Sequence, residues 1–126
     1  MTSTSVPVSE HRCMRPGCAR RLTSPASISA GYGPVCRRRI REAAAAIVLD
    51  GVKAEQHAKA VELIEAGGVV PTSRPGVFRT VGSSGDVIYV THVKGHCSCP
   101  AGLRDRLCYH AVAVRLVAAA SVRRAA

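Results

Sequence analysis

Aromatic and acidic side chains are scarce in this sequence. Its 126 residues include three Tyr, one Phe and no Trp, and 8 Asp and Glu stand against 18 Lys and Arg, which gives a formal net charge of +10. A chain this short with so few large rings buries too little apolar surface for an extended core. We therefore expect something besides apolar packing to stabilise the fold.

Long hydrophobic runs are also missing. No segment reaches the roughly 18 uncharged apolar residues that a membrane-spanning helix requires, so we expect no membrane partner. The first ten residues are polar and lack the basic and apolar regions of a secretory signal peptide. The sequence thus predicts a disordered arm over residues 1–10 and a cytoplasmic protein whose six cysteines remain reduced.

Basic residues and cysteines are concentrated in the same parts of the chain. Residues 11–41 contain eight Arg and no acidic residue, residues 42–69 contain five acids and two Lys, and residues 70–126 are basic again. Each basic segment contains three cysteines. This distribution predicts an arginine-rich zinc module over residues 11–41, a helical connector over residues 42–68 and a zinc-finger module over residues 69–126.

The hydrophobic pattern predicts both helices and strands. Apolar residues at three- and four-residue steps predict a helix from residue 36 to about residue 50 and a second helix over about 54–66, packed against each other as a hairpin. Two β-branched segments, 77–81 and 87–93, flank a glycine-rich turn and predict a β-hairpin, and residues 109–122 predict a final helix that packs on it. The predicted fold class is α+β, with a small zinc-stabilised N-terminal module, a helix pair and a ββα zinc finger.

The sharpest pattern consists of four residues with metal-binding side chains: Cys97, Cys99, Cys108 and His110. Three thiolates and one imidazole are the donors of a closed tetrahedral zinc site, and this mixed set favours zinc over iron or copper. On an extended chain the first two cysteines point to the same side. Residues two apart on a helix point about 200° from each other, so we expect Cys108 just before a helix and His110 in its first turn.

Three other interpretations of this cluster exist, of which a disulfide is disfavoured by the expected reducing compartment and by the odd number of cysteines in this half of the chain. The cysteines could be buried free thiols beside an ordinary surface histidine, but four ligand-type residues within 14 positions favour a metal site. His96 is a rival imidazole, although next to Cys97 on a strand it would point to the opposite face. A zinc ion held by the four residues is therefore the predicted arrangement.

With a β-hairpin before them and a helix after them, these four residues resemble the SWIM zinc finger. The signature of that family is Cys-x-Cys, a variable spacer and Cys-x-His within a ββα arrangement, and the resemblance extends over about residues 54–120. It implies a structural zinc ion and a role in binding DNA or protein.

The N-terminal part contains a second set of cysteines, formed by Cys13, Cys18 and Cys36. Two cysteines on a short knuckle and a third at the start of a helix are typical of a zinc site, so two zinc ions are predicted for the chain. His11 is the predicted fourth ligand because it completes a three-cysteine, one-histidine set and lies close in sequence. Alternatively, His11 is a solvated residue. His57, which lies on the apolar stripe of the second predicted helix, is the other candidate for the fourth ligand.

The segments CARRLT, from Cys18 to Thr23, and GYGPVC, from Gly31 to Cys36, resemble a short uncharacterised domain of actinobacteria and their phages. The pattern of that domain usually has two residues between its first two cysteines, whereas this chain has four. The resemblance implies no activity.

The arginines of the N-terminal part predict a positively charged surface. Three of them lie within about a third of the circumference of the helix that follows Cys36, and no acid lies between residues 11 and 41. A charge run is often only a solvated face, but this one favours nucleic-acid binding. Few aromatic rings are available for stacking on single strands, so duplex DNA is the predicted partner. The predicted DNA-binding residues are Arg20, Arg21, Arg37, Arg38 and Arg41.

The sequence offers no catalytic residues. A catalytic zinc ion needs an open coordination position with an acid or base nearby, and the N-terminal cysteines have only Glu10 and Glu42 as nearby carboxylates. We therefore predict a zinc protein without enzymatic activity that binds DNA as a regulator or accessory factor. The alternatives are a protein–protein interaction adaptor, which docks through its C-terminal helix or the edge of its hairpin, and a phage-encoded modulator of a host protein.

Overall fold

The computed structural model describes residues 11–122, so the predicted arm over residues 1–10 lies outside the described residues. The chain forms an α+β structure, which confirms the α+β part of the predicted fold class. Its elements in chain order are α1 (Pro25–Ala30), α2 (Pro34–Ala46), α3 (Ala54–Glu65), β1 (Val69–Pro71), β2 (Val77–Val81), β3 (Ile88–His92), α4 (Pro100–Leu103) and α5 (Tyr109–Val122).

The long helices lie close to their predicted positions. α2 begins at Pro34 rather than at residue 36, because proline fits the first helical position, where its missing N–H is no loss. It ends at Ala46, since Ile47 is already extended. α3 ends within one residue of its predicted end, and α5 has the predicted bounds.

The sheet has three antiparallel strands in the order β1-β2-β3. The predicted β-hairpin is confirmed, with Val77 opposite His92 and Val81 opposite Ile88. β1 is not predicted from the sequence. Its three residues, which end in Pro71, are too few to show the alternation of apolar and polar side chains that indicates a strand. The short helices α1 and α4 are also not predicted, because each is too short to show the helical repeat of apolar residues.

α5 is the central element of the fold. Val112, Val114 and Leu116 are fully buried, and the helix packs against both α2 and α3 and also contacts β1 and β3. α2 and α3 contact each other, as the predicted helical hairpin requires, but each packs more extensively against α5. Because Val112, Val114 and Leu116 face the interior, they are not available as a docking face on α5, which is one of the two surfaces that the adaptor alternative named.

One core joins the N-terminal segment to the rest of the fold. Cys13, Leu22 and Tyr32 pack in the same cluster of buried side chains as Ile40 of α2 and Leu116 of α5. A second, smaller cluster surrounds the cysteines near the C-terminus. Among the described residues, no helix is long and apolar enough to cross a membrane.

Candidate metal centres

The fold brings the four predicted ligands near the C-terminus together. All four are buried, and their sulfur and nitrogen atoms lie within 4.8 Å of one another. Zinc bonds of about 2.0–2.3 Å in a tetrahedron place neighbouring ligand atoms about 3.5–3.8 Å apart, so small adjustments suffice. This set, called the C-terminal centre below, comprises Cys97, Cys99, Cys108 and His110.

Two thiols of the C-terminal centre lie at the beginnings of helices. Cys99 is the N-cap of α4, and its Sγ accepts a hydrogen bond from the Gly102 N–H at 3.3 Å. Cys108 immediately precedes α5, and its Sγ accepts one from the Ala111 N–H at 3.4 Å. The sequence-based expectation for Cys108 and His110 is thereby confirmed. Both helix N-termini favour negative charge at this point.

The thiols of this centre differ in their acidity. Burial tends to raise the pKa of Cys99, but hydrogen bonds, the strongest from Gly102, outweigh it and lower the pKa. For Cys108 burial dominates and raises the pKa to about 12. A buried thiol of this kind becomes a stable thiolate when a cation is bound beside it.

The imidazole of His110 shows that the residues fit a metal ion. Both of its ring nitrogens are buried without a hydrogen-bond partner. Burial lowers its pKa, against a smaller opposing effect of the Val81 backbone, and this favours the neutral ring that a metal ion binds. The rings of Tyr109 and Tyr89 lie with their centroids 4.2 Å and 5.2 Å from it. An unsatisfied buried polar group costs about 1–3 kcal/mol, and a metal bond to one nitrogen removes part of this cost.

A buried hydroxyl network supports Cys97 from the sheet. Thr80 Oγ1 lies 2.8 Å from Thr91 Oγ1, which lies 3.2 Å from Cys97 Sγ, and both threonines are fully buried. Because a thiolate has no proton to donate, Thr91 must donate to a metal-bound Cys97 and accept from Thr80. This pair is not among the residues predicted from the sequence, although one inward-facing threonine in each of two adjacent strands is a signal that could have indicated it.

Gly102 allows α4 to approach Cys97. A Cβ atom at this position would lie 2.2 Å from the carbonyl oxygen of Cys97 and 2.8 Å from its Cβ. Any larger residue would therefore push the helix away from the metal ligand. The sequence analysis missed Gly102, since its role depends on a contact between two segments.

The N-terminal cysteines are held by a ribbon and a helix. Arg12 pairs with Arg21 in an antiparallel bridge, and the Cys13 N–H donates to the Arg20 carbonyl at 2.7 Å. Cys18 lies in the turn of this ribbon, and Cys36 lies in the first turn of α2. The three Sγ atoms lie within 4.8 Å of one another. Cys13, Cys18 and Cys36 are called the N-terminal centre below.

The other histidines considered as metal ligands lie away from both centres. His11 is exposed at the end of the ribbon, where its carbonyl accepts a hydrogen bond from Leu22, and it is not grouped with the three cysteines. The ring of His57 lies 2.9 Å from the Ile47 carbonyl and ties α3 to the end of α2. His96 is exposed and lies outside the C-terminal centre. Within residues 11–122, the N-terminal centre therefore has three ligands.

The acidity of the N-terminal thiols follows their surroundings. Burial raises the pKa of Cys13, whereas a hydrogen bond from the Arg20 backbone lowers the pKa of Cys18. Arg15 donates from Nη1 to Cys36 Sγ at 3.7 Å and from Nε to the Ser121 carbonyl at 3.3 Å. It therefore links the centre to the end of α5, a role that the sequence analysis missed.

The predicted DNA-binding arginines are not equivalent. Arg20, Arg21, Arg38 and Arg41 are exposed, whereas Arg37 is half-buried and donates from Nη1 to the Ala26 carbonyl at 3.3 Å. Four of the five therefore remain accessible to a partner.

Comparison with known protein families gives a match in the N-terminal part of the chain. A family of unknown function, DUF6011, matches residues 3–41, the segment that contains the N-terminal centre. No curated protein and no solved structure matches the chain. Because the matching family has no assigned activity, the function has to be argued from the chain itself.

Proposed function

We propose that this protein holds two structural zinc ions and binds duplex DNA through its arginine-rich N-terminal segment, as a regulator or accessory factor without enzymatic activity. The observation that carries the proposal is that exposed arginines are concentrated on the N-terminal ribbon and on α2. The cysteines of the N-terminal centre hold these two segments together.

Zinc is the metal that the donors favour. The C-terminal centre offers three thiolates and an imidazole, and the N-terminal centre offers three thiolates, which suit a soft tetrahedral ion. Four buried protein ligands leave no position for a substrate at the C-terminal centre. When bound, zinc would cross-link short segments that have little apolar surface of their own.

The charge of the N-terminal segment supports DNA as the partner. Arg20 and Arg21 lie on the ribbon, and Arg38 and Arg41 lie on α2, all exposed. No acidic residue occurs between residues 11 and 41 to neutralise them. Such surfaces bind the phosphate backbone of DNA with an affinity that falls steeply with salt concentration.

A second candidate function is protein–protein interaction. On β3, Ile88 and Val90 lie two residues apart on one face of the strand and are 63% and 56% exposed, which leaves an uncovered apolar surface. The outer edge of β3 is partly paired, because Ser98 exchanges hydrogen bonds with the backbone of Val90. The face of the hairpin, rather than its edge, is therefore the surface that favours an adaptor.

The zinc assignment is tested by metal content. Elemental analysis of the purified chain should give two zinc ions, and Cys108→Ser and His110→Ala should each lose one. Serine keeps an oxygen that can cap α5, so the loss reports ligation rather than capping. His96→Ala, which removes an exposed imidazole outside the centre, is the matched control and should keep two. An unchanged metal content in both centre variants would refute the assignment.

The DNA assignment is tested by binding a random duplex at several salt concentrations, measured by fluorescence anisotropy. The log–log slope should be about −0.9 per phosphate neutralised, so the double variant Arg38→Gln/Arg41→Gln should reduce its magnitude by about 1.8. Arg79→Gln, an exposed arginine on β2, is the control. Affinity that does not depend on salt, or equal losses in the two variants, would contradict the proposal, and absent binding at physiological salt would favour the adaptor.

A further inference from the structure

A cavity of about 480 Å³ opens beside the N-terminal centre. Cys18 and Cys36 form part of its wall, together with residues 33–35 at the start of α2. The remaining wall includes three arginines, Arg15, Arg20 and Arg39, and no acidic residue. Only Arg20 among them belongs to the predicted DNA-binding set, so the cavity is a feature that the sequence analysis did not find.

The charge of this cavity favours an anion. Three thiolates and one zinc ion would together carry a single negative charge, and the three arginines outweigh it. Guanidinium groups present paired N–H donors that match the oxygens of a phosphate group. The cavity is also larger than a phosphate ion, which leaves room for the group to which a phosphate is attached.

The start of α2 adds to this preference. Its N-cap, Gly33, has no side chain to cap the helix, and no acidic residue lies in its first turn. The backbone N–H groups of Val35 and Cys36 lack partners within the helix and lie at the positive end of its dipole. Both residues line the cavity, so the helix end and the arginines act on the same space.

Arg15 is held in place before any ligand binds. Its Nε donates to the Ser121 carbonyl and its Nη1 to Cys36 Sγ, so the tertiary fold fixes the guanidinium at the cavity wall. A donor fixed in this way loses less conformational entropy when it binds an anion. Arg20 and Arg39 are exposed and can close on the ligand from the solvent side.

We propose that this cavity binds a phosphate group, presented either by the DNA backbone or by a free phosphate compound. The proposal rests on the proposed function only for the first of these sources. A phosphate site in the cavity would involve some arginines of α2 and not others. Arg39 lines the cavity, whereas Arg41 lies on the same helix but outside the cavity.

The test uses the zinc-loaded full chain in low-salt buffer without phosphate, titrated with inorganic phosphate in a calorimeter. Arg39→Gln and Arg20→Gln should each weaken phosphate binding about tenfold or more, as expected for the loss of a charge-assisted hydrogen bond. Arg41→Gln removes the same charge from α2 outside the cavity and should change the affinity less than about twofold. Acetate should bind more weakly than phosphate.

Phosphate that does not bind, acetate that binds as well as phosphate, or an equal loss in Arg41→Gln would overturn the proposal. Repeating the titration with saturating duplex DNA shows which phosphate the cavity binds. If DNA prevents the binding of inorganic phosphate, the cavity binds the DNA backbone. If phosphate still binds, the cavity binds a free phosphate compound. Both results support a phosphate site. Phosphate binding by a chain that binds no DNA would refute only the proposed DNA binding, and DNA binding without phosphate binding would refute only the phosphate site in the cavity.

Discussion

Replacing Gly102 with Ala is expected to weaken metal binding at the C-terminal centre. In a free helix this change would be favourable, because Ala has the higher helix propensity by about 1 kcal/mol. Here the added Cβ would lie 2.2 Å from the carbonyl oxygen of Cys97, so the sign of the effect is set by the tertiary contact.

The size of the effect follows from the overlap. Cβ atoms do not approach other atoms closer than 3.0 Å, so α4 and Cys97 must move apart by about 0.8 Å. Metal–ligand distances tolerate only about 0.2 Å. Overpacking of this kind costs about 1–3 kcal/mol, which corresponds to an affinity about 5- to 150-fold lower.

The assay is a competition between the protein and a chromophoric chelator for zinc, fitted with two sites. Only one site should weaken in Gly102→Ala, and the double variant Gly102→Ala/Cys108→Ser should assign it, because loss of a C-terminal ligand should remove the weakened site and leave the other at native affinity. Gly33→Ala is the control, since its Cβ would lie 3.7 Å from Leu22 at an ordinary φ of −68°. Native affinity at both sites in Gly102→Ala would refute the close approach of α4 to Cys97.

Two further outcomes are expected. Thr91→Val removes the hydroxyl that donates to Cys97, so zinc affinity measured by the same competition should fall about 10- to 100-fold, whereas Thr91→Ser should retain it. Burial raises the pKa of Tyr32 to about 12, while an unfolded tyrosine titrates near 10. The contribution of the protonated phenol to the free energy of unfolding is therefore complete below pH 10 and is lost as the pH rises towards 12, by up to about 3 kcal/mol. Urea unfolding across this range should show a smaller decline in Tyr32→Phe, and an identical decline would contradict the burial of the phenol.

The described structure agrees best with the sequence analysis where a pattern is local. The bounds of α5 and of β2 follow from runs of residues that favour one conformation, and neither depends on a distant partner. The C-terminal centre was predictable for a similar reason, since its four ligands lie within 14 positions and their spacing restricts the backbone between them. Thr91 and Gly102 were not, because each acts on Cys97 from another segment.

The N-terminal centre shows the limit of inference from proximity in sequence. His11, the predicted fourth ligand, lies two residues before Cys13, yet in the ribbon its side chain is exposed and apart from the cysteines. Cys36, 18 residues beyond Cys18, comes within 3.6 Å of it because the fold returns α2 to the ribbon. Distance along the chain is therefore a poor guide to which donor completes a set.

The sequence by itself determined the α+β class, the β-hairpin and the donors that could bind metal, because these depend on residue type and short-range spacing. Only the tertiary structure decided that α5 is the centre of the core and that Arg15 reaches both Cys36 and Ser121, 106 residues away. It also decided that three arginines and the start of α2 surround one cavity. The physical reason is that burial and charge focusing depend on which segments meet, and the local pattern of a segment does not specify its distant partners.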